Sequence, residues 1–357
     1  MSVTREPLGA AGLARGCLLG GAVGDALGAE PEFMTLEEIR DQFGPAGVRD
    51  YAVAYGRRGA ITDDTQMTLF SAEGLIRAWV RQQTRDGVGI VQVVRHAYLR
   101  WLLTQGEAPR TGDVGRDGWL FAVPALHSRR APGMTCLSAL REGWDAPQVA
   151  ENDSKGCGAV MRAAPFGLFA PLGDAAAVFR HAAEAGALTH GHPSGYLSAG
   201  HLAATVAGLR EGLALRPALA QADAILARQR GHEETTAALA ASYRLADHGP
   251  PSPEALEGLG GGWVGEEALA IAVCCALTAE DFTEGVLRAV NHSGDSDSTG
   301  AIAGNLLGAL WGEAAIPAAW LAELELRADI ARLADDLLAC ATGARAAEAM
   351  AEDYPGW

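Results

Sequence analysis

Residues 65–80 read Thr-Gln-Met-Thr-Leu-Phe-Ser-Ala-Glu-Gly-Leu-Ile-Arg-Ala-Trp-Val. Large apolar side chains recur here at intervals typical of one helix face, at Met67, Phe70, Leu75, Ile76 and Trp79. A β-strand would instead alternate apolar and polar residues with a period of two. The stretch therefore predicts an amphipathic α-helix with a buried stripe.

The same Ala- and Leu-rich pattern continues through most of the chain. It predicts further helices at about 90–103, 175–187, 195–214, 217–230, 233–246, 264–278, 299–311 and 319–341. No Gly/Pro-rich stretch separates regions of different composition, and no repeat of fixed period is present. We therefore predict an all-α fold in which residues 1–357 form a single compact multi-helix domain.

One connection is long for a compact domain. Residues 43–60 contain Gly44, Pro45, Gly47, Gly56 and Gly59 and carry no helical pattern. Because long ordered loops are often functional, we expect this one to border a site.

Composition excludes several classes of protein. Hydrophobic residues make up 49% of the chain and charged residues 20%, so it can bury a sizeable core. Its formal net charge of −16 opposes extended contact with nucleic acid or acidic membranes, because phosphate backbones repel an acidic surface. No window offers the roughly 18 apolar residues of a membrane span.

Cysteine usage indicates a reducing compartment. The six cysteines, with Cys274 and Cys275 adjacent, do not form a regular disulfide framework. The apolar stretch from Cys17 to Ala29 resembles a signal peptide, but four glycines and Asp25 interrupt it and no small-x-small cleavage site follows. We expect a cytoplasmic protein that acts as a monomer.

Two acidic clusters each precede a helical pattern. Thr62-Asp63-Asp64-Thr65 leads into the predicted helix at 65–80, and Gly294-Asp295-Ser296-Asp297-Ser298-Thr299 leads into the predicted helix at 299–311. Either could be an ordinary N-cap, yet one cap needs only one such side chain. Four carboxylates brought close together would repel one another unless cations held them, and such hard oxygen ligands suit Mg²⁺, Mn²⁺ or Ca²⁺.

Five segments of the chain combine glycines with acidic, hydroxyl or histidine side chains. They are Gly24-Asp-Ala-Leu-Gly28 with Glu32, Thr62-Asp-Asp-Thr-Gln-Met-Thr68, Ser154-Lys-Gly-Cys-Gly-Ala-Val-Met-Arg162, Thr189-His190 with His192-Pro-Ser-Gly-Tyr196, and Gly294-Asp-Ser-Asp-Ser-Thr-Gly-Ala-Ile-Ala-Gly304. In this order they resemble the ADP-ribosylglycohydrolase family, which includes arginine-specific ADP-ribosyl hydrolases and dinitrogenase-reductase-activating glycohydrolases. One such match would be weak, but five in family order make a chance resemblance implausible.

The resemblance implies an all-α fold with two Mg²⁺ or Mn²⁺ ions at the bottom of a cleft. It implies that Thr62, Asp63, Asp64 and Asp297 ligate one ion, and that Asp295, Asp297 and Ser298 ligate the other, with Asp297 bridging them.

Three acids are candidates for catalysis. Glu32 matches the family's acidic residue on a loop near the metals, so the resemblance implies proton handling or substrate positioning there, with Glu30 as a competing assignment. Asp63 and Asp64 are alternative proton carriers.

A glycine-rich run predicts the binding of a diphosphate. Ser154, Gly156 and Gly158 allow backbone N–H groups to approach phosphate oxygens at the start of a helical pattern at 159–169, and Lys155 either adds charge or is solvated.

Three further residues are candidate contacts to ADP-ribose. The resemblance implies that His190 contacts the ribose on the adenosine side, with His192 a weaker candidate. Trp263 either stacks beside a ring or packs in the core.

The implied reaction is hydrolysis of the bond between C1″ of the distal ribose and a modified side chain, with an ADP-ribosylated protein as substrate and ADP-ribose as product. The Asp-Ser-Asp-Ser pattern resembles the arginine-specific branch. The alternatives are ADP-ribosylserine, O-acetyl-ADP-ribose or ADP-ribosylated nucleic acid as substrate, or a protein that binds ADP-ribose without catalysis.

Overall fold

The computed structural model describes residues 9–85 and 87–356, and helices dominate this part of the chain. The predicted helical class is confirmed. In chain order the helices are α1 (Ala10–Gly28), α2 (Leu36–Phe43), α3 (Asp63–Thr84), α4 (Ile90–Thr104), α5 (Met134–Arg141), α6 (Ala164–Leu168), α7 (Ala175–Ala187), α8 (Pro193–Arg210), α9 (Leu215–Leu226), α10 (Glu233–Ala246), α11 (Pro253–Leu256), α12 (Gly265–Thr278), α13 (Phe282–Ala289), α14 (Ser296–Trp311), α15 (Ala318–Glu323), α16 (Arg327–Thr342) and α17 (Ala347–Met350).

Short elements occupy the connections. Strands β1 (Val53–Ala54) and β2 (Arg57–Arg58) pair antiparallel, so the predicted loop at 43–60 contains a small hairpin. Single 3₁₀ turns lie at Leu120–Ala122, Pro124–Leu126, Cys157–Ala159, Ala170–Leu172, Glu257–Leu259 and Glu313–Ala315.

Helix α3 is longer and more deeply buried than its sequence pattern indicates. Its stripe is buried as predicted at four positions, and Trp79 is partly buried. Glu73 and Arg77 on other faces are also fully buried, and Glu73 forms ion pairs of 2.9 Å with both Arg77 and Arg100. The helix is therefore enclosed on nearly all sides, and ion pairs inside the protein replace the expected polar face.

The prediction of one continuous helix at 319–341 is wrong, because the segment forms the two helices α15 and α16. The chain breaks at 324–326 between α15 and α16, where Leu326 adopts a left-handed backbone conformation with φ of 56°. The break turns Glu325 inward, where its carboxylate accepts hydrogen bonds from the Arg130 side chain and from the backbone N–H of Ile61. Tertiary hydrogen bonding thus overrides the helical periodicity.

The predicted helix at 159–169 is also wrong. The segment forms the 3₁₀ turn Cys157–Ala159 followed by the five-residue α6. Pro165 lies in the first turn of α6, and a proline disfavours helical backbone at the residue before it. Pro165 also has no backbone N–H to donate to the preceding turn, so α6 begins at Ala164 and does not continue from the 3₁₀ turn.

A ladder of glycines brings α1 and α14 into direct backbone contact. Gly16, Gly20 and Gly24 of α1 face Gly308, Gly304 and Gly300 of α14, and a Cβ atom added at Gly24 would lie 1.9 Å from the carbonyl oxygen of Gly300. The next step of the ladder, Gly28, lies against Ser296 and Asp297. The two helices run antiparallel, so the C-terminal end of α1 lies beside the N-terminal end of α14.

The apolar core is continuous through this helical assembly. One cluster of buried side chains extends from Leu13 in α1 to Tyr354. In the part of the chain that the structure describes, no helix combines the length and apolar character needed to cross a bilayer.

Candidate active site

The structure brings the two acidic clusters together. Thr62 is the N-cap of α3, and Asp295 is the N-cap of α14. Thr62 lowers the pKa of the Asp297 carboxyl group, and the Asp297 charge raises the pKa values of Asp63 and Asp64, so these groups lie close together across the junction. The starts of the two helices, distant in sequence, therefore form one site.

The four carboxylates of the site are almost fully buried. Asp63, Asp64, Asp295 and Asp297 are each at most 4% exposed. Burial, and then the negative charge of Asp297, raise the pKa values of Asp63, Asp64 and Asp295 well above the usual range. Each carboxylate is thus destabilised in its charged form, which is the electrostatic environment that a bound cation reverses.

Hydrogen bonds orient two of these aspartates. Asp63 Oδ2 accepts from the backbone N–H of Gly133 at 3.2 Å. Asp295 Oδ2 accepts from the Cys157 thiol at 2.8 Å, and its Oδ1 accepts from the backbone N–H of Ser298 at 3.3 Å. The carboxylate planes are therefore set by the surrounding chain.

Buried carboxylate oxygens without hydrogen-bond partners indicate whether the site suits cations. Asp64 Oδ1 and Glu32 Oε2 are inaccessible to solvent and accept no hydrogen bond. In residues 9–85 and 87–356, no three His, Cys, Asp or Glu side chains are already arranged to hold one ion. The donor set is nevertheless composed of hard oxygens, and two buried oxygens at the site are unsatisfied, which fits Mg²⁺ or Mn²⁺.

Asp25 is a central residue that the sequence reasoning did not assign. It lies in α1, is fully buried, and accepts hydrogen bonds from the backbone N–H groups of Thr62 and Thr65 and from the Thr65 hydroxyl. Burial and the charge of Asp297 raise its pKa to about 7. Its signal was present in the motif Gly24–Gly28, where an acid interrupts an otherwise apolar helix.

Glu32, and not Glu30, faces the aspartates. Burial raises the pKa of Glu32 to about 11, with further contributions from the charges of Asp297 and Asp295. Glu30 instead accepts a hydrogen bond from the Gln42 side chain at 3.2 Å in an exposed position. The geometry therefore favours Glu32 between the two competing assignments.

The glycine-rich run at 154–158 lies beside the aspartates. Its Cys157 contacts Asp295, as described, and the backbone N–H of Cys157 donates to the carbonyl of Trp263 at 3.2 Å. The Ser154 hydroxyl accepts from the backbone N–H of Gly156 at 3.3 Å and shares a hydrogen bond with Thr135. The end of the run forms the start of the 3₁₀ turn Cys157–Ala159. Through Cys157 this turn contacts both the acidic cluster and the segment before α12.

Lys155 is engaged within the protein. Its ammonium group lies 2.5 Å from Glu234 and 3.0 Å from Glu266. In this structure Lys155 is therefore ion-paired, and its contact with a diphosphate stays a prediction.

The two candidate histidines have different environments. His190 is buried against the glycine run, since a Cβ atom at Gly158 would lie 3.1 Å from its Cε1 atom. Burial and the charge of Arg162 lower its pKa to about 3, so the ring is neutral. His192 caps α8 by accepting from the backbone N–H of Ser194 at 3.1 Å, which gives it a structural role.

Trp263 is not a core residue. It is 42% exposed and stacks on Phe33, with ring centroids 5.2 Å apart and an angle of 22° between the ring planes. Phe33 follows Glu32, and Gly262 lies against Asp295. The stacked pair therefore adjoins the acidic cluster, and no sequence pattern had indicated a role for Phe33.

A helical fold that encloses a cluster of buried carboxylates, with a glycine-rich loop beside it, defines the class of this protein. The chain belongs to the ADP-ribosylglycohydrolase family, whose sequence model matches residues 9–347. The resemblance carried by the five sequence segments is thereby confirmed. This is a family of glycohydrolases, which supports an enzyme that hydrolyses a bond to ADP-ribose.

Named relatives extend over nearly the whole chain. ADP-ribosyl-[dinitrogen reductase] glycohydrolase of Rhodospirillum rubrum is 29% identical over 339 residues, which are 92% of this chain and 96% of the relative. ADP-ribosylarginine hydrolase Tri1 of Pseudomonas putida (strain GB-1) is 26% identical over 340 residues, 94% of this chain and 80% of the relative. A solved structure described as an ADP-ribosylglycohydrolase-related protein complex matches with a TM-score of 0.65 and 25% identity, covering 92% of this chain and 97% of that one.

Proposed function

We propose that this protein is a metal-dependent hydrolase that removes ADP-ribose from arginine side chains of proteins. The observation that carries the proposal is the cluster of buried carboxylates with unsatisfied oxygens beside a glycine-rich loop. Burying so many acids together is costly unless cations and a polar ligand occupy the site.

Two Mg²⁺ or Mn²⁺ ions are the proposed cofactors. Thr62, Asp63, Asp64 and Asp297 would hold one, and Asp295, Asp297 and Ser298 would hold the other. When bound, divalent cations supply orientation of the ribose hydroxyls and of a water molecule, whose pKa they lower.

The chain's own residues perform the remaining tasks. Burial and the neighbouring aspartates raise the pKa of Glu32 so that it can hold a proton, and we propose that it moves a proton or positions the scissile bond, with Asp63 and Asp64 as the alternatives. The near-complete burial of the aspartates keeps bulk water away from the reacting bond.

The diphosphate is the proposed ligand of the glycine-rich run. The absence of side chains at Gly156 and Gly158 lets His190 pack against both glycines, and the backbone N–H groups of such a run can bind phosphate oxygens. Ser154 contributes a hydroxyl beside the same loop. We therefore propose that the adenosine end of the ligand lies toward His190 and the distal ribose toward the aspartates.

Arginine is the proposed acceptor. The Asp-Ser-Asp-Ser pattern at 295–298 and the similarity to an ADP-ribosylarginine hydrolase support it. We further propose a cytoplasmic monomer that acts on an ADP-ribosylated protein and releases ADP-ribose. ADP-ribosylserine, O-acetyl-ADP-ribose and ADP-ribosylated nucleic acid are the competing substrates.

A panel of defined conjugates tests the proposal. Purified protein is incubated with arginine-, serine- and acetyl-linked ADP-ribose, with and without Mn²⁺, and release of ADP-ribose is measured. Cleavage of the arginine conjugate only with metal is expected, and preference for another conjugate would replace the acceptor assignment.

Two variants test the metal assignment. Asp63→Ala and Asp297→Ala are expected to abolish turnover while their metal-free melting curves remain those of a folded protein. Full activity in either variant would exclude its aspartate from the metal site.

A further inference from the structure

We infer that Phe33 and Trp263 form an aromatic contact for the leaving acceptor, on which the guanidinium group of an ADP-ribosylated arginine stacks. The inference rests on the proposed function and assigns the acceptor end of the same site. It moves Trp263 from the ADP-ribose side of the site to the acceptor side.

The position of the pair indicates the acceptor side. Phe33 directly follows Glu32, whose carboxyl group faces Asp295 and Asp297. Trp263 follows Gly262, where an added Cβ atom would lie 3.3 Å from the Asp295 Cβ atom. Both rings are thus anchored next to the carboxylates that would hold the distal ribose, whose C1″ atom carries the acceptor.

The adenosine side is lined by other residues. His190 lies against Gly156 and Gly158 and is buried. Neither aromatic ring of the pair contacts this histidine among the ring contacts of the described chain. The ligand's two ends therefore meet different kinds of surface, a buried neutral imidazole at one end and exposed aromatic rings at the other.

Exposure and backbone strain set Phe33 apart from an ordinary surface residue. Its side chain is 67% exposed, and its φ of 71° lies in the left-handed region that bulky residues avoid. Both features cost free energy without adding to the core, and such costs concentrate at functional sites. Tyr55, with φ of 50° and a pKa raised by burial and by the charge of Glu32, is a second strained aromatic residue beside the same acids.

The chemistry of the pair matches a guanidinium group. An aromatic face carries partial negative charge and attracts a flat cation, which can stack on it while its N–H groups remain free. The neighbouring carboxylates add attraction for the same positive charge. A serine or acetyl acceptor is neither cationic nor flat in this way, so the pair favours arginine.

Substitutions that remove the aromatic face and keep an apolar side chain test this role. Phe33→Leu and Trp263→Leu are compared with Trp263→Phe, which retains a ring. Leu213→Ala is the matched control, because Leu213 is also an exposed apolar residue but lies beyond the far end of the 18-residue helix α8. KM and kcat are measured with ADP-ribosylated agmatine, and the Kd of ADP-ribose is measured by titration calorimetry in Mn²⁺.

The expected result is a KM for the agmatine conjugate raised about tenfold in both leucine variants. The Kd of ADP-ribose is expected to change less than twofold in the same variants. Trp263→Phe is expected to keep a KM for the agmatine conjugate close to that of the wild type, and Leu213→Ala is expected to match the wild type in both measurements.

Two outcomes would overturn this inference and leave the proposed function standing. An equal rise in the Kd of ADP-ribose would assign the rings to the nucleotide, and an unchanged KM in the leucine variants would leave them without a role. A wild-type protein that binds ADP-ribose but does not cleave the agmatine conjugate would instead remove the proposed function, and the inference with it.

Discussion

Both carboxylate oxygens of Asp25 accept a hydrogen bond from the backbone N–H of Thr62, each at 3.0 Å. The same side chain also binds Thr65, so a single acid from α1 fixes the first turn of α3. Because Thr62, Asp63 and Asp64 project from that turn, Asp25 acts as a positioning residue for half of the proposed metal ligands.

Asp25→Asn is expected to lower the affinity for Mn²⁺ by about 10- to 100-fold, as is typical when a residue that orients metal ligands is changed. The amide keeps one acceptor oxygen but turns an N–H donor toward the donors of Thr62 and Thr65. Titration calorimetry with Mn²⁺ measures the effect. Asp174→Asn is the control, since Asp174 caps α7 by a comparable hydrogen bond of 2.9 Å to Ala177; equal affinities in both variants would contradict the role of Asp25.

Metal-free protein is expected to become more stable as pH falls from about 8.5 to 6.5. The pKa values of Asp25 and Glu32 in the folded state are raised to about 7 and about 11, so folding retains protons that the unfolded chain releases near pH 4. Stability from these groups is therefore lost as pH rises through this window.

Melting temperatures in EDTA measure this dependence. Below about pH 6.5 the neutral His190 and His96, with pKa values lowered to about 3 and about 4, oppose the trend because the unfolded chain binds their protons. Saturating Mn²⁺ is expected to flatten the slope. A melting temperature that rises with pH across the window would contradict the electrostatic account.

Gly24→Ala is expected to destabilise the fold by about 3 kcal/mol or more, because the new methyl group would collide with the backbone of α14. Gly12→Ala on the same helix meets no atom within 4 Å and is expected to stabilise it by about 0.5–1 kcal/mol. Urea unfolding of the two variants measures both. Similar effects from both would show that helix propensity, and not backbone contact, governs these positions.

Glu73→Gln is expected to destabilise the protein by about 3–5 kcal/mol, since it removes a buried carboxylate that pairs with both Arg77 and Arg100, while Arg77 keeps its pair with Asp117. Asp247→Asn breaks the exposed pair with Arg216, which has the same separation of 2.9 Å, and is expected to change stability little. Chemical denaturation distinguishes the two. A small effect at Glu73 would indicate that the arginines find other partners.

The periodic helices were predictable because burial of an apolar face depends on local spacing. Residues 233–246 and 175–187 have the predicted bounds, and the helix at 65–80 differs mainly by added turns. Helix α1 was missed because its glycines resembled interruptions, although their spacing of four is what permits contact with α14. The break at Glu325 depends on Arg130, which no local pattern reveals.

The residues of the candidate site could likewise be predicted only where the local sequence indicates them. The two acidic clusters were visible because each lies at the start of a helix and carries more acids than a cap requires. Asp25, Cys157 and Phe33 were not assigned, since their roles arise from partners distant in sequence, such as Asp295 for the thiol of Cys157. Lys155 was left ambiguous for the same reason, because Glu234 and Glu266 become its partners only in the folded chain.

The glycine ladder also has a consequence for biosynthesis. Helix α1 emerges early from the ribosome, but its closest partner, α14, is made only after most of the chain has been translated. Until then the acids of α3 lack the carboxylates of Asp295 and Asp297, and closing so long a loop is entropically unfavourable before the backbone contact can compensate for it. We therefore expect the proposed metal site to be assembled late in folding, because Asp295 and Asp297 must first join the acids of α3.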